Sequence, residues 1–244
     1  MKHLLLVLSI FLVFAASSQQ VYFNKLIRTD IAEQPQAVIE DVSCYYVYGL
    51  QIDSNTSNQK LFFYKLDKLG NLLLYKDWGY PYKSYSGTDM VETHDGNLAC
   101  TGTVIDTAIV DNMTLWHGLL TKLNKNGDTI WQKNYFDTMS LWYGSRMGIH
   151  AIHETIDHGF VLSGWSRGDV QHEIQHVLIK TDSLGNIQWL KTQGHTGNGI
   201  NPYSVDQTID SGFIVAGKYW NGVHYDGWFY KTDQYGNKEW EKFM

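Results

Sequence analysis

Histidine pairs are the residues whose types and spacing come nearest to metal or acid–base chemistry in this sequence. His150 and His153 stand three residues apart on a predicted strand, so their side chains point to opposite faces and cannot chelate one ion. His172 and His176 stand four apart in a segment that we interpret as a loop, and spacing places no third ligand beside them. We therefore predict neither a metal site nor a cofactor.

Recurring turns hold the other candidate acids and bases. Asp95, Asp157 and Asp210 shortly precede a glycine in equivalent turns, and His94 and His158 lie in two of these turns. Recurrence from repeat to repeat indicates a role in turn structure, because a catalytic residue usually occurs once. The sequence also lacks a phosphate-binding loop and a dinucleotide-binding fingerprint. No catalytic residue is predicted.

Segments that do not repeat are where a binding site is expected. They connect successive repeats, or join the second and third strands within a repeat, and both sets should emerge at one end of the strands. They are rich in aromatic rings and hold a few arginines, which recur at binding hot spots. The rings would serve equally well to cover the repeat ends by packing on one another. The candidate ligand-binding residues are Trp78, Tyr80, Tyr82, Trp116, Trp142, Tyr143, Arg146, Arg167 and Trp220.

A repeat supplies the elements that must position these side chains. Four segments align without gaps, at 64–76, 121–133, 179–191 and 230–242. Each is predicted to be a β-hairpin, in which an Asp or Asn side chain starts the turn and glycine takes a positive φ. A lysine on each arm is expected to be solvated or paired with aspartate, and a Trp column to pack between neighbouring sheets. The glycines are Gly70, Gly127, Gly185 and Gly236, and the Trp column holds Leu74, Trp131, Trp189 and Trp240.

A turn and a nearly all-apolar strand precede each of the last three hairpins, as in DSGFIVAG (210–217), and a shorter alternating run lies upstream. Each repeat thus holds four strands, and an apolar strand is expected where both faces of a sheet are covered. We predict an all-β fold, a whole or partial β-propeller of four four-stranded antiparallel blades. The blades span approximately 35–77, 88–135, 148–193 and 203–244, after a leading outer strand at 21–27.

The hairpin segments, for example IKTDSLGNIQW (179–189), resemble repeats of the pyrroloquinoline-quinone-type propeller superfamily, whose blades carry an aspartate, a glycine and then a tryptophan. Together with GFIVAG (212–217), they are more similar still to repeat proteins secreted by Bacteroidetes-type bacteria, over residues 21–244. The resemblance implies the propeller architecture. It does not extend to quinone binding, because the turn from Asp182 to Gly185 is one residue short and adjacent cysteines are absent. The turn also lacks the Asp-x-Gly spacing of the sialidase Asp-box.

The amino-terminal residues have the layout of a secretory signal peptide. Lys2 and His3 are followed by an apolar run of 13 residues from Leu4 to Ala16, too short to span a membrane, and cleavage is expected after Ser18. Residues 19–244 should then form the secreted or surface-displayed repeats, without membrane insertion. Because the leading strand has no obvious partner and propellers have about 4 to 8 blades, we expect the sequence to be a fragment of a longer protein.

Composition limits the class of partner. The 244 residues carry a net charge of -6, the wrong sign for a nucleic-acid partner. Cys44 and Cys100 are the two cysteines, and we expect them to be buried free thiols rather than a bridge. Three functions stay open: a non-catalytic binding or scaffold module for extracellular glycans or proteins, a polysaccharide lyase or hydrolase, and a spacer with no ligand. We favour the binding module.

Overall fold

Sixteen strands and no helix make up the residues that the structure, a computed structural model, describes: 32–52, 59–79, 83–110, 113–136, 146–167, 174–194 and 199–244. The all-β prediction is confirmed. A helix long and apolar enough to cross a membrane is absent from these residues. The strands are β1 (Ala32–Glu40), β2 (Cys44–Ile52), β3 (Gln59–Asp67), β4 (Leu72–Trp78), β5 (Lys83–Glu92), β6 (Leu98–Val110), β7 (Met113–Leu123), β8 (Thr129–Tyr135), β9 (Arg146–Glu154), β10 (Phe160–Arg167), β11 (Ile174–Thr181), β12 (Ile187–Gln193), β13 (Ile200–Gln207), β14 (Phe213–Trp220), β15 (Tyr225–Thr232) and β16 (Lys238–Phe243).

Each run of four consecutive strands forms an antiparallel meander, which we call a unit: unit 1 is β1–β4, unit 2 β5–β8, unit 3 β9–β12 and unit 4 β13–β16. The prediction of four separate sheets is wrong in its count, because the described strands form three sheets and none of them closes on itself. Units 2 and 3 merge where Trp116 of β7 pairs in parallel with Arg146 of β9. The predicted signal peptide (1–18) and leading strand (21–27) lie outside the described residues.

A β-bulge recurs between the first and second strands of every unit. At each bulge a glycine of the second strand lies against the facing backbone: a Cβ on Gly102 would lie 1.9 Å from the Ser86 carbonyl oxygen. The glycine is required because the backbones of two neighbouring strands approach closely, not because of its φ angle. The four bulge glycines are Gly49, Gly102, Gly164 and Gly217.

We expect Gly102→Ala to destabilise the protein by about 2 kcal/mol, because the new methyl group must push two strands apart. For a chain of this size that loss corresponds to a drop of roughly 4–8 °C in Tm, to be measured by differential scanning calorimetry. Gly199→Ala is the matched control, since a Cβ on Gly199 would meet nothing within 4 Å. Equal Tm values for the two variants would contradict the described bulge.

The bulged residue of one unit bonds the backbone of the next. Thr88 donates its hydroxyl to the Ile149 carbonyl at 2.8 Å, and His150 Nδ1 lies 3.0 Å from the Pro202 carbonyl oxygen. Burial lowers the pKa of His150, while the bond to Pro202 opposes that shift. His150 therefore acts as a link between units 3 and 4.

The hairpins have the turn chemistry that the sequence predicts. Asp182 Oδ1 accepts hydrogen bonds from the backbone N–H groups of Leu184 (2.9 Å) and Asn186 (2.8 Å), and Gly185 has a φ of 75°. The same glycine also faces the preceding unit, where a Cβ would lie 2.9 Å from the Trp131 ring. A side chain at this position would therefore be strained by its backbone and obstructed by a neighbouring ring. The equivalent turn glycines are Gly70, Gly127 and Gly236, with φ between 71° and 76°.

In units 2 and 3 the two lysines of the hairpin have different partners, whereas Lys65, the first lysine of unit 1, is only half-buried. The first is buried: Lys180 is 5% exposed, and its Nζ lies 2.9 and 2.8 Å from the carboxylate oxygens of Asp157 in the β9–β10 turn. The expected pairing with aspartate is found, and the alternative of solvation is wrong for this lysine. Partial burial alone would raise the pKa of Asp157, but hydrogen bonds from Lys180 and Thr155 lower it. The equivalent pairs are Lys122–Asp95 and Lys231–Asp210.

The second lysine reaches across to the next unit. Lys133 donates to Asn186 Oδ1 at 3.0 Å, and Lys191 donates to Asn237 Oδ1 at 3.3 Å. Each acceptor directly follows the turn glycine of the next hairpin, so the lysine holds that turn in place at the surface.

Three clusters of buried apolar residues join unit 1 to unit 2, unit 2 to unit 3, and unit 3 to unit 4. We call these three contacts the seams. Leu119 and Leu120, neighbours on β7, belong to different clusters, because successive strand residues point to opposite faces. Unit 2 is therefore covered on both faces, which explains its apolar strands.

The Trp column lies at the seams as predicted, except in unit 4. The ring centres of Trp131 and Phe160 of unit 3 are 6.2 Å apart, and those of Trp189 and Phe213 of unit 4 are 5.7 Å apart. Trp240 is 41% exposed. Both Cys44 and Cys100 are buried free thiols at the first seam, as expected.

Candidate functional site

The start of β7, the start of β9 and the end of β10 meet at one end of the strands. Trp116 is the cross-strand partner of Arg146, and Arg146 is in turn the partner of Arg167. The structure thus brings together three of the predicted site residues from two units. We call this end, where the loops between units emerge, the loop end.

A tryptophan pair and an arginine form the centre of this cluster. The Arg146 guanidinium carbon lies 5.8 Å from the centre of the Trp116 ring, a cation–π contact. Trp116 meets Trp165 edge-on, with ring centres 5.6 Å apart and planes at 65°. All three side chains are half-buried, so each presents part of its surface to solvent.

Gly148 makes room for Trp165. A Cβ on Gly148 would lie 2.7 Å from the Trp165 indole nitrogen and 2.8 Å from the hydroxyl oxygen of Thr103. The indole therefore lies directly against the backbone of β9, which fixes its position beside Trp116 without any side chain between them.

One buried polar atom of this cluster has unused hydrogen-bonding capacity. Within the described part of the chain, Trp116 Nε1 makes no hydrogen bond. Ser166 Oγ makes none either, but Ser166 follows Trp165 on β10 and therefore points to the opposite face of the strand. A buried polar atom without a partner costs free energy, and a ligand or water that bonds it recovers that cost. The cluster thus combines aromatic faces, a guanidinium and one polar atom without a partner, the usual composition of a small-molecule site.

Two predicted site residues lie elsewhere. Trp78, on β4, packs against Tyr48 at 6.4 Å and belongs to the first seam. Trp220, on β14, packs against Tyr225 at 4.9 Å within unit 4. The alternative role considered for the rings, that of covering strand ends, fits these two. The remaining candidates, Tyr80, Tyr82, Trp142 and Tyr143, lie outside the described residues.

Trp165 and Ser166 were not predicted, although the sequence holds a signal for Trp165. The residue that follows the bulge glycine is Leu50 in unit 1, Thr103 in unit 2 and Lys218 in unit 4. A tryptophan in a column that otherwise varies among smaller or charged residues stands out. Its place directly after an apolar strand made it resemble core sequence.

Carboxylates at the loop end are spread over different units. Asp77 of unit 1 accepts hydrogen bonds from Gln51 and Lys60, and Asp226 of unit 4 accepts one from Asn221. Asp106 belongs to unit 2. Acid–base hydrolysis of glycosides needs two carboxylates facing one bond. Among the described residues, these three aspartates do not form such a pair at the Trp116–Arg146 cluster.

Comparisons with known proteins identify a related fold and no family. No family model matches the chain, and no curated protein matches it. A crystal structure of a protein of unknown function from Dyadobacter fermentans DSM 18053 is similar with a TM-score of 0.61 and 12% identity, covering 87% of this chain and 69% of that one. A thermostable family-43 glycoside hydrolase matches with a TM-score of 0.38 and 11% identity, over 86% and 93% of the two chains. The first similarity indicates a shared all-β fold.

Proposed function

We propose that this protein is an exported, non-catalytic binding module, built from consecutive propeller blades, and that its loop end binds a glycan. The four units, with a seam between each consecutive pair, support the blade interpretation. The basic start and short apolar run of the amino-terminal residues support export.

The cluster of Trp116, Trp165 and Arg146 carries the glycan proposal. A sugar ring has an apolar C–H face that packs on an indole, and hydroxyl groups that need hydrogen-bond partners. Arg146 and the Trp116 indole N–H supply hydrogen-bond donors at the cluster, and Arg146 would also bind the carboxylate of an acidic sugar. None of these residues recurs at the equivalent position of the other units, as expected for a binding site rather than for a folding element.

Trp165→Ala should weaken glycan binding by about tenfold or more, since tryptophan side chains at a binding centre contribute ~1.4 kcal/mol or more. The wild-type protein would be screened on an array of neutral and acidic polysaccharides. The oligosaccharide with the strongest signal would then be titrated into wild type and variant by calorimetry.

Trp240→Ala is the matched control, because Trp240 is a half-exposed tryptophan in the outermost strand of unit 4. Equal affinities for wild type and both variants would count against the loop end as the site. Cleavage of the bound oligosaccharide, detected as new reducing ends or unsaturated products, would replace the binding module with the enzyme alternative.

A further inference from the structure

At the opposite end of the strands, two histidines and a glutamate meet across the seam between units 2 and 3. His94 lies in the β5–β6 turn, Glu154 ends β9, and His158 lies in the β9–β10 turn. His94 Nδ1 is 2.8 Å from Glu154 Oε1, and the two imidazole rings stack with centres 3.5 Å apart. One ligand atom from each of the three side chains lies within 4.8 Å of the other two.

The next seam has the same backbone contact without the histidines. The backbone N–H of His94 donates to Glu154 Oε2 at 2.8 Å, and that of Ile156 donates to Gln207 Oε1 at 2.8 Å. The turn positions occupied by His94 and His158 are occupied by Ile156 and Ser211 one seam further on. The seam therefore needs an acceptor at Glu154 but does not need imidazoles or a charge.

His158 stands where the backbone is unfavourable for its side chain. Its φ is 61°, in the left-handed region, and the equivalent turn position in unit 2 is Gly96. Ser211, at this position in unit 4, also has a positive φ of 67°, so the left-handed backbone belongs to the turn, and a histidine there costs free energy that a glycine would not. Although both histidines lie in recurring turns, they occupy different positions of the turn, and their pairing does not recur.

We propose that His94, Glu154 and His158 bind a divalent transition-metal ion of the Zn²⁺ class, which joins unit 2 to unit 3. Two imidazole nitrogens and one carboxylate oxygen are a common zinc ligand set, with water completing the tetrahedron. Tetrahedral coordination with bonds of 2.0–2.2 Å places ligand atoms about 3.4 Å apart. His94 Nδ1 and Glu154 Oε1 already lie 2.8 Å apart and all three ligand atoms lie within 4.8 Å of one another, so no pair has to adjust its separation by more than about 1.4 Å. Rotation of the two exposed imidazoles supplies this movement, whereas Glu154 is held by the His94 backbone.

The cleft around the cluster leaves room for the ion and its water. It has a volume of about 640 Å³ and is also lined by His153, Thr208 and Ile209. His153 pairs with Asp206, 3.2 Å away, and so belongs to a separate contact at the edge of the same cleft. An ion at the cluster would have solvent on one side, as a surface site with an open coordination position does.

The experiment is a calorimetric titration of the metal-free protein with ZnCl2, together with the increase in Tm on adding Zn²⁺. Three substitutions copy the next seam: His94→Ile, Glu154→Gln and His158→Ser. Each should weaken the site by at least about tenfold and remove most of the Zn²⁺-dependent rise in Tm. Glu154→Gln is the most decisive, because it keeps an acceptor for the His94 backbone while removing the charged ligand.

His153→Gln is the matched control and should leave this Zn²⁺ affinity unchanged. Substitution of Co²⁺ for Zn²⁺ adds a second readout, since the visible spectrum of bound Co²⁺ reports tetrahedral coordination by nitrogen and oxygen. His158→Gly guards against misfolding: it relieves the backbone strain, so it should retain or raise the metal-free Tm while losing the ion. Zn²⁺ binding that is absent from the wild type, or equal in the wild type and all three seam variants, would overturn the proposal.

Discussion

Trp228→Ala is expected to lower the free energy of unfolding by about 3–5 kcal/mol, the usual cost of removing a buried tryptophan. Trp228 is fully buried at the seam between units 3 and 4, where its ring meets Tyr230 at 5.5 Å and His176 at 5.1 Å. Its Nε1 also donates to Glu241 Oε1 at 2.6 Å. The substitution therefore leaves a cavity and takes a hydrogen bond from a largely buried carboxylate.

Urea denaturation followed by circular dichroism measures the effect. Trp240→Ala, the half-exposed tryptophan of the same unit, should cost less than about 1 kcal/mol. Trp228→Phe keeps an aromatic ring but loses the hydrogen bond, and it gives an intermediate value if the alanine variant does not fold. Similar costs for Trp228→Ala and Trp240→Ala would mean that this seam is not packed as described.

Acidification should destabilise the protein through His176. This histidine is 1% exposed, and its Nε2 lies 3.0 Å from Ser163 Oγ. Burial lowers the pKa of His176 to about 3, and the negative charge of Glu241 only partly opposes that shift. In the unfolded chain the pKa is about 6.5. Between these values the unfolded state binds a proton that the folded state does not.

The sign follows from this difference in protonation. The contribution of neutral His176 to the free energy of unfolding is complete above pH 6.5. It declines by about 1.4 kcal/mol per pH unit as the pH falls towards 3. We expect a loss of about 2 kcal/mol between pH 6.5 and pH 5. Measurements should stop at pH 5, because the paired aspartates, with their lowered pKa values, add losses of the same sign in stronger acid.

His176→Gln tests the assignment, since glutamine retains a hydrogen-bonding group for Ser163 but does not titrate. Over the same pH interval, the free energy of unfolding of the variant should fall by about 2 kcal/mol less than that of the wild type. The fall that remains in the variant would come from other groups, such as His150. His224→Gln, at an exposed histidine beside Asp226, is the control substitution of a histidine outside this seam. A wild-type slope in the His176 variant would show that another group is responsible.

Local chemistry explains which parts of the fold were predictable. The hairpin turns follow from Asp182 and Gly185, whose roles depend only on neighbouring residues of the chain. The Trp column was predicted because it recurs. The joining of units 2 and 3 into one sheet was not predicted, because it depends on a single cross-strand pair, Trp116 and Arg146, near the start of two strands.

The sites were harder to predict because they depend on contacts between units. Trp116, Arg146 and Arg167 could be selected as non-repeated residues, but Trp165 follows an apolar strand and resembled core sequence. The interpretation of the segment containing His176 as a loop was wrong, since His176 lies inside β11; His172 lies outside the described residues. Glu173 and Gln175, the polar residues that precede His176, hid its burial.

The pairing of His94 with His158 has no sequence signal of its own. The two residues are 64 positions apart, in different positions of equivalent turns, and only the stacking of unit 2 on unit 3 brings them together.

The contact between hairpin turn and preceding unit has a consequence for how such chains evolve. On one side, each internal unit presents a tryptophan and a lysine. On its other side it presents a turn glycine that is followed by Asn or Asp. The interface between units is therefore heterologous, that is, head to tail. A gene segment that encodes one unit carries both halves of that interface. Duplication or loss of such a segment would leave every remaining junction chemically matched, so arrays of different length can arise without new interface mutations.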